Sequence, residues 1–188
     1  MLLDQITAAG IVGCGGAGFP TAVKYNTKTE YFIINAAECE PLLKTDHYVM
    51  NNYAKECVEA IAAVGDMLEA QHIVIATKAY YTKEIAALEK AIQELGVPVT
   101  IFKMKNFYPA GDEQIMVYEV TGRTVPPGGI PIEVGCVISN IATMLNIYQA
   151  QQGKNVTHKL LTITGAVREP KILEVPIGTS FDECLALA

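Results

Sequence analysis

The stretch YFIINAAECEP, residues 31–41, decides the fold of this chain. Its first part, Tyr31 to Asn35, is a short apolar run that predicts a strand buried on both faces. The run passes directly into a turn that carries Glu38, Cys39 and Glu40 and stops at Pro41. In open α/β sheets, ligands bind beyond the carboxyl ends of buried strands, so this turn is a candidate site.

The chain after residue 41 repeats the same kind of strand, separated by helical patterns. A helix capped by Asp46 is predicted from apolar residues at helical spacing, namely Met50, Tyr53, Cys57, Ile61, Val64 and Leu68. Ile73 to Thr77 and Val99 to Phe102 are the next predicted strands. Between them we predict a helix capped by Thr82 and ended by Gly96. The alternation predicts an α/β fold with a parallel sheet and right-handed crossovers.

The pattern changes after Phe102. Gly111 is predicted to open a short helix that Gly122 closes, and the proline- and glycine-rich residues 123–131 are predicted to be an irregular loop. Residues 136–138 are predicted to form another strand. Asn140 is then the predicted cap of a helix over residues 141–151.

The last part of the chain returns to strand-like patterns. Leu160 to Thr164 and Ile172 to Val175 are predicted strands, and Ser180 is the predicted cap of a final helix. Two strands and one helix are too few to close a core. We therefore expect this end to be the start of a truncated unit, or to dock on another structure.

Composition excludes several classes of protein. Of the 188 residues, 51% are hydrophobic and 18% are charged, which indicates a globular chain rather than a disordered one. A net charge of −6 argues against nucleic acid as the main partner. No apolar run is long enough to span a membrane, and the N-terminus lacks the basic start of a secretory signal. We expect a cytoplasmic protein, either free or at the periphery of a membrane or enzyme complex.

The cysteines do not form a recognisable framework. There are five, scattered from Cys14 to Cys184, with no Cys-x-x-Cys pair. The sequence therefore disfavours a disulfide scaffold, an iron–sulfur cluster and a structural zinc site within this chain.

A glycine-rich loop, GCGGAGFP at residues 13–20, precedes the first strand. It satisfies the dinucleotide motif G-x-G-x-x-G, but the segment before it is helical in pattern and Phe19-Pro20 follows it, so the usual fingerprint fits poorly. Bare backbone N–H groups can instead approach a flat ring closely and wrap a phosphate. Lys24, one turn into the next helix, can face an anion. The alternative is a tight loop that needs glycine only for its backbone angles.

Two acidic segments have structural alternatives as well. The Glu38–Glu40 turn can simply be a solvated turn. In the segment YPAGDE, residues 108–113, Asp112 can act as an ordinary helix cap, although capping does not explain Tyr108 and Pro109.

Taken together, these segments resemble one family. The stretches GIVGCGGAGFPTAVKY (10–25), FIINAAECEPLLKTD (32–46) and YPAGDEQIMVYEVTGRTVPPGGIPIEVGCVISNIATMLNIY (108–148) are similar to the RnfC protein of the Rnf electron-transport complex. They also resemble the NADH-binding flavin subunit of respiratory complex I and RnfC-like proteins of the PduS and PrdC types. The tail KLLTITGAVREPKILEVPIGTSF (159–181) is similar to the β-grasp, SLBB-type ligand-binding domain that follows the flavin domain in that family.

The resemblance implies a Rossmann-like FMN-binding domain over residues 1–154 and the start of a truncated β-grasp unit over residues 155–188. It implies that electrons pass from NADH through noncovalently bound FMN to iron–sulfur clusters in a missing C-terminal region or a partner. The redox chemistry belongs to the cofactor, and the protein places and tunes it. The family's cofactor-binding positions fall on Gly13, Gly15, Gly16, Gly18, Lys24, Asn35, Glu38, Tyr108, Gly111, Asp112, Asn140 and Thr143. Its positions near NADH fall on Phe19, Glu40 and Glu113.

The sequence departs from the flavin subunit of complex I at three places, which affect charge and aromatic contacts. Cys14 occupies the position of an arginine, and Ala37 occupies that of an acidic residue. Of the aromatic residues that clamp the NADH adenine, Phe19 is kept, whereas the others fall on Thr27 and the region of Gly128. Three functions therefore stay open: an FMN domain of an NADH-dependent oxidoreductase, a flavin or ligand module fed by a protein donor, and a non-catalytic assembly subunit.

Overall fold

A computed structural model describes all residues from Met1 to Ala188. The molecule contains a four-stranded parallel sheet with helices on both faces and a separate two-stranded antiparallel hairpin. The strands are β1 (Tyr31–Asn35), β2 (His72–Lys78), β3 (Val99–Met104), β4 (Cys136–Asn140), β5 (His158–Ile163) and β6 (Lys171–Pro176). The helices are α1 (Leu2–Ala8), α2 (Thr21–Lys24), α3 (Thr45–Asn52), α4 (Ala54–Met67), α5 (Thr82–Leu95), α6 (Glu113–Thr121), α7 (Ile141–Gln151) and α8 (Phe181–Ala186), with a 3₁₀ turn at Pro131–Val134.

The order of strands in the parallel sheet is β3-β2-β1-β4. The chain moves outward from β1 to β2 and β3, and then returns to place β4 on the other side of β1. A crevice forms where the strand order reverses, and such crevices are the usual ligand sites of open α/β sheets. Here it lies between the carboxyl ends of β1 and β4, where Asn35 and Asn140 are partners in the strand register.

The core lies on both faces of the sheet. The larger cluster has 27 buried residues and packs α1, α4, α5 and α7 against one face, while a cluster of 10 buried residues lies under α6 on the other. Gly65 of α4 allows close packing of that helix on β2, because a β-carbon there would lie 2.2 Å from Cδ1 of Ile73. The predicted α/β class and the parallel sheet are confirmed.

Most helix ends fall where the sequence predicts them. Asn140 and Ser180 cap α7 and α8 through their side chains, and Gly96 and Gly122 end α5 and α6 in the left-handed conformation.

Two predicted caps are wrong. Asp46 lies inside the first turn of α3, which begins after Lys44, and the long helix predicted from it is broken at Tyr53 into α3 and α4. Tyr81, rather than Thr82, occupies the N-cap of α5. Both errors arise because an acid or a threonine suits the first helical turn nearly as well as the cap itself.

The hairpin β5–β6 and helix α8 enclose a small core of their own, made of Ile163, Val175, Cys184 and Ala188. The hairpin rests on the start of α3, where the hydroxyl of Thr162 accepts the backbone N–H of Lys44 at 3.0 Å and contacts the Thr45 hydroxyl at 2.8 Å. The domain boundary at residues 154/155 and the β-grasp identity of this unit stay predictions.

None of the helices combines the length and apolar character that a membrane span needs. No group of three or more His, Cys, Asp or Glu side chains converges as a metal site.

Candidate functional site

The candidate site is the crevice between the carboxyl ends of β1 and β4, which we call the asparagine edge after Asn35 and Asn140. The amide of Asn35 donates from Nδ2 to the carbonyl of Gly111 at 2.8 Å and accepts the N–H of Ala37 at 3.1 Å. One side chain thereby fixes both the acidic turn after β1 and the segment before α6. The sequence could not show that these distant segments are joined.

Gly111 is the close contact in that junction. A β-carbon at this position would lie 2.6 Å from Sγ of Cys39 and 2.7 Å from the carbonyl oxygen of Ala37. Real β-carbons do not approach protein atoms so closely, so any larger residue would push the 108–113 segment off the acidic turn.

The glycine-rich loop arches beside the second asparagine. Its ends are held by a bridge between Val12 and Pro20 and by a hydrogen bond from the N–H of Gly13 to the carbonyl of Phe19 at 2.9 Å. Gly16 and Gly18 have φ angles of 119° and 62°. Residues 15–20 are all exposed, so the loop presents its backbone to solvent rather than filling space inside the fold. This favours a ligand cradle over a purely structural loop.

The loop is attached to the start of α7 at two points. The N–H of Cys14 donates to Oγ1 of Thr143 at 3.0 Å, and a β-carbon on Gly15 would lie 3.5 Å from Cβ of Asn140. The glycine loop and the amino end of an 11-residue helix therefore meet at one place. That combination is a common binding site for phosphate.

Asn140 also contacts a residue that the sequence analysis did not assign to the site. Its Nδ2 donates to Oδ2 of Asp46 at 2.8 Å, while its Oδ1 accepts the N–H of Ala142. Asp46 is only 7% exposed. Burial, and secondarily the neighbouring Glu38 carboxylate, raise the pKa of Asp46 to about 7. The sequence indicated Asp46 only as the predicted cap of a helix.

Lys24 lies against the edge of the sheet rather than free in solvent. Its Nζ donates to the carbonyl of Ile138 at 3.0 Å and pairs with Glu113 Oε1 at 3.3 Å. Tyr25, the next residue, places its hydroxyl against Ser139 of β4 at 2.5 Å. The predicted Lys24 and Glu113 are thus brought together, and Tyr25 and Ser139 are site neighbours that the sequence did not reveal.

The remaining predicted residues lie on the loops around the crevice. Glu38 accepts the N–H of Glu40 at 3.0 Å and its carbonyl accepts the Tyr81 hydroxyl at 2.8 Å, which fixes the acidic turn. Asp112 accepts the N–H groups of Gln114 and Ile115 and is therefore the cap of α6. The side chains of Phe19, Tyr108 and Glu40 are exposed and make no hydrogen bond within the chain.

The cysteines near the crevice are thiols. Burial raises the pKa of the Cys14 thiol, and Asn146 Nδ2 contacts its Sγ at 3.4 Å. Cys39 is also a free cysteine.

This set of groups fits a flavin mononucleotide. The exposed glycine loop beside the amino end of a helix suits a phosphate group. The amides of Asn35 and Asn140 suit the polar edge of a flat ring, and the acidic turn packed on Gly111 suits its face.

Comparison with known proteins identifies a family. Residues 6–149 match the model of the Nuo51 FMN-binding domain. The chain is 42% identical over 186 residues to the cobalamin reductase PduS of Salmonella typhimurium, covering 98% of this chain and 41% of that protein. It is 35% identical over 190 residues to a subunit of the proton-translocating ferredoxin:NAD(+) oxidoreductase complex of Clostridium ljungdahlii, with the same two shares covered. The chain thus spans about 41% of the length of these relatives.

Among solved structures, a chain of an NAD+-reducing [NiFe]-hydrogenase in the H2-reduced state has a similar fold. The TM-score is 0.86 at 22% identity, covering 97% of this chain and 38% of the other. At that identity the similarity concerns the fold.

Proposed function

The chain belongs to the Nuo51 FMN-binding domain family, and from that premise we propose that it accepts electrons from NADH and delivers them to iron–sulfur carriers located elsewhere. Bound FMN supplies the chemistry that converts two-electron transfer into one-electron transfer. The observation that carries the proposal is the asparagine edge, where Asn35 and Asn140 are register partners beside the glycine loop. The chain's own residues bind and orient the cofactor there.

The cofactor-binding roles divide between the two ends of the crevice. We assign the phosphate to the glycine loop and the amino end of α7, where Asn140 and Thr143 lie. Asn35 and the acidic turn, whose backbone is fixed by hydrogen bonds, would hold the ring. The full proposed set is Gly13, Gly15, Gly16, Gly18, Lys24, Asn35, Glu38, Tyr108, Gly111, Asp112, Asn140 and Thr143.

NADH is the proposed donor because the names of two similar proteins include NAD+. Phe19, 48% exposed, offers an aromatic face, and Glu40 and Glu113 offer carboxylates that accept hydrogen bonds from hydroxyl or amide groups. Two carboxylates repel an additional phosphate, so we expect a preference for NADH over NADPH.

A second function is favoured by two observations. Glu113 is paired with Lys24, and the family resemblance places Thr27 at a position that is aromatic in the flavin subunit of complex I. A domain arranged in this way would receive electrons from a protein rather than from a nucleotide. The terminal acceptor is a further proposal, since the similar proteins are named for cobalamin and for ferredoxin.

Partners and location follow from the same premise. We propose that the chain acts within a multi-subunit electron-transfer assembly and lies at the periphery of a membrane or enzyme complex, in the cytoplasm. The similarity to a protein of a proton-translocating complex supports this proposal.

The test is to load the protein with FMN and add NADH or NADPH without oxygen, following the loss of yellow flavin colour. NADH should bleach the flavin faster than NADPH. Glu113→Gln should slow the reaction with NADH about tenfold, a change of ~1.4 kcal/mol in the barrier, while Glu119→Gln on the same helix should not. A protein that binds FMN and is bleached by neither nucleotide would support the protein-fed function, and failure to bind FMN would contradict the cofactor-binding roles assigned above.

A further inference from the structure

A second cleft, of about 480 Å³, lies on the other side of β1, at the carboxyl end of β2. We call it the lysine cleft. It is bounded by the loop after β1 and the first turn of α5, and it includes no residue of the glycine loop. Its size is that of a small-molecule site. The lining residues used below are Glu38, Glu40, Lys78, Tyr80, Lys83 and Glu84.

Lys78, the last residue of β2, gives the cleft its chemistry. The residue is only 6% exposed, and no hydrogen bond or ion pair within the chain involves its ammonium group. The nearest aromatic contact is the ring of Tyr81, whose centroid lies 6.0 Å from Nζ. The stem of the side chain is therefore buried, while its ammonium group reaches the cleft as an unpaired positive charge that an anion can bind.

The amino end of α5 supplies a second source of positive potential. This 14-residue helix begins at Thr82, and its N-cap residue Tyr81 makes no capping bond from its side chain. The Tyr81 hydroxyl donates instead to the carbonyl of Glu38 at 2.8 Å. The first N–H groups of a helix have no intrahelical acceptor, and the residues that carry them here, Thr82, Lys83 and Glu84, line the cleft. The helix dipole adds partial positive charge there, and the Glu84 carboxylate accepts one backbone hydrogen bond at this end.

The acidic residues of the cleft are mostly engaged. Glu84 accepts hydrogen bonds from His47 at 3.0 Å and Asn51 at 2.9 Å. Glu38 accepts the N–H of Glu40. Glu40 remains at the exposed rim, where Lys83 is also exposed. The three lysines that line the cleft, Lys44, Lys78 and Lys83, form no ion pair with these glutamates.

We propose that the lysine cleft binds the phosphate group of a small organic phosphate, at a site that shares the acidic turn of Glu38 and Glu40 with the proposed flavin site but no residue of the glycine loop. Lys78 and the amino end of α5 hold the phosphate. Tyr80, 53% exposed at the mouth, packs against the organic part.

Calorimetric titration of the FMN-loaded protein with phenyl phosphate tests this. Phenyl phosphate should bind, and phenol, which lacks the phosphate, should not. Lys78→Met should weaken binding at least tenfold and leave FMN bound. Lys90→Met removes the same charge from an exposed position of α5 and should change nothing. Inorganic phosphate should bind more weakly than phenyl phosphate and with the same dependence on Lys78.

Two results would overturn the proposal: equal affinity in the parent and Lys78→Met proteins, or displacement of FMN by phenyl phosphate. The second would make the cleft a part of the flavin site. Inorganic phosphate binding as tightly as phenyl phosphate would remove Tyr80 from the proposal. If Lys78→Met does not fold, Lys83→Glu tests the proposal instead. Reversing the charge at the exposed rim should weaken the binding of phenyl phosphate several-fold, and unchanged binding would overturn the proposal.

Discussion

The two clefts that flank the end of β1 satisfy their polar groups in different ways. At the asparagine edge, the amide of Asn35 is bonded to Gly111 and Ala37, and the amide of Asn140 donates to the carboxyl of Asp46, before any ligand is considered. In the lysine cleft, the ammonium of Lys78 has no such partner. The first region is therefore organised by the fold itself, whereas the second retains a charge that the fold leaves unpaired.

This difference has a consequence for mutagenesis. Removing a member of a satisfied network leaves a buried polar group without a partner, which destabilises the protein. Removing an unpaired charge from a largely buried side chain instead removes the cost of its partial desolvation. The two clefts should therefore respond with opposite signs to the loss of a polar side chain.

The largest effect concerns Asp46 and pH. Its pKa rises from 3.8 to about 7 in the folded protein, so the native state keeps a proton that the unfolded chain releases near pH 4. Stability contributed by the protonated form is fully present below pH 4 and is lost as the pH rises to 7. The loss amounts to about 4 kcal/mol. Glu38 and Lys159 are the charged groups that act on this carboxyl.

Asp46→Asn should remove that dependence, because an amide can still accept the hydrogen bond from Asn140 and does not titrate. Urea unfolding of the FMN-free protein at pH 5 and pH 8 measures it. Asp66→Asn, at an exposed position of α4, is the matched control. If the parent is equally stable at both pH values, Asp46 is not a buried acid that titrates near neutrality.

The glycine loop should show the next largest effect. Gly16 has a φ of 119° and no protein atom near its missing side chain, so Gly16→Val strains the backbone and fills the cradle without a clash inside the fold. We expect FMN affinity to fall at least 100-fold, ~2.7 kcal/mol. Fluorescence quenching of FMN measures this.

Gly10→Val provides the comparison for that variant. Gly10 also has a positive φ, 69°, and open space around it, but it lies outside the loop. The Gly10→Val substitution should strain the backbone to a similar extent and leave FMN affinity unchanged. Equal loss of affinity in both variants would mean that strain, rather than the cradle, explains the result.

A smaller loss is expected for Asn140→Ala. The substitution removes the cap of α7 and the donor to Asp46, and together these should cost about 2 kcal/mol. Ser180→Ala removes the cap of α8 in the same way, but should cost ~1 kcal/mol and not affect FMN. Thermal unfolding of each variant with and without FMN distinguishes a loss of helix stability from a loss of FMN binding. An equal effect of both variants on FMN binding would contradict the role of Asn140.

The sequence predicted the helices and strands better than it predicted the contacts between residues that lie far apart in the chain. Tyr31–Asn35 was recognisable because a four-residue apolar run that ends in a polar residue is typical of a buried parallel strand. Asn140 was recognisable because it precedes an apolar helical pattern. Helix caps and turns are determined by residues close together in the chain, so a single sequence is enough to predict them.

The buried carboxyl of Asp46 and the unpaired Lys78 could not be predicted in this way. Asp46 is buried by the fold around it and by its bond to Asn140, a residue 94 positions away in the chain. Lys78 follows an apolar strand and would ordinarily mark its exposed end. Burial of such residues depends on long-range packing, which residue spacing does not encode.

The smallest effect, and the one with the opposite sign, is expected for Lys78→Met. Methionine fills nearly the same volume as the lysine stem and carries no charge, so the phosphate-free protein should gain about 1 kcal/mol of stability. Lys90→Met, on an exposed face of α5, should remain within ~0.5 kcal/mol of the parent. Urea unfolding of the parent and both variants, with and without phenyl phosphate, measures the gain and its dependence on an anion. Phenyl phosphate should stabilise the parent and Lys90→Met, and should leave Lys78→Met unchanged. If Lys78→Met instead loses stability in the absence of any anion, the ammonium group is satisfied within the fold, and the difference between the two clefts disappears.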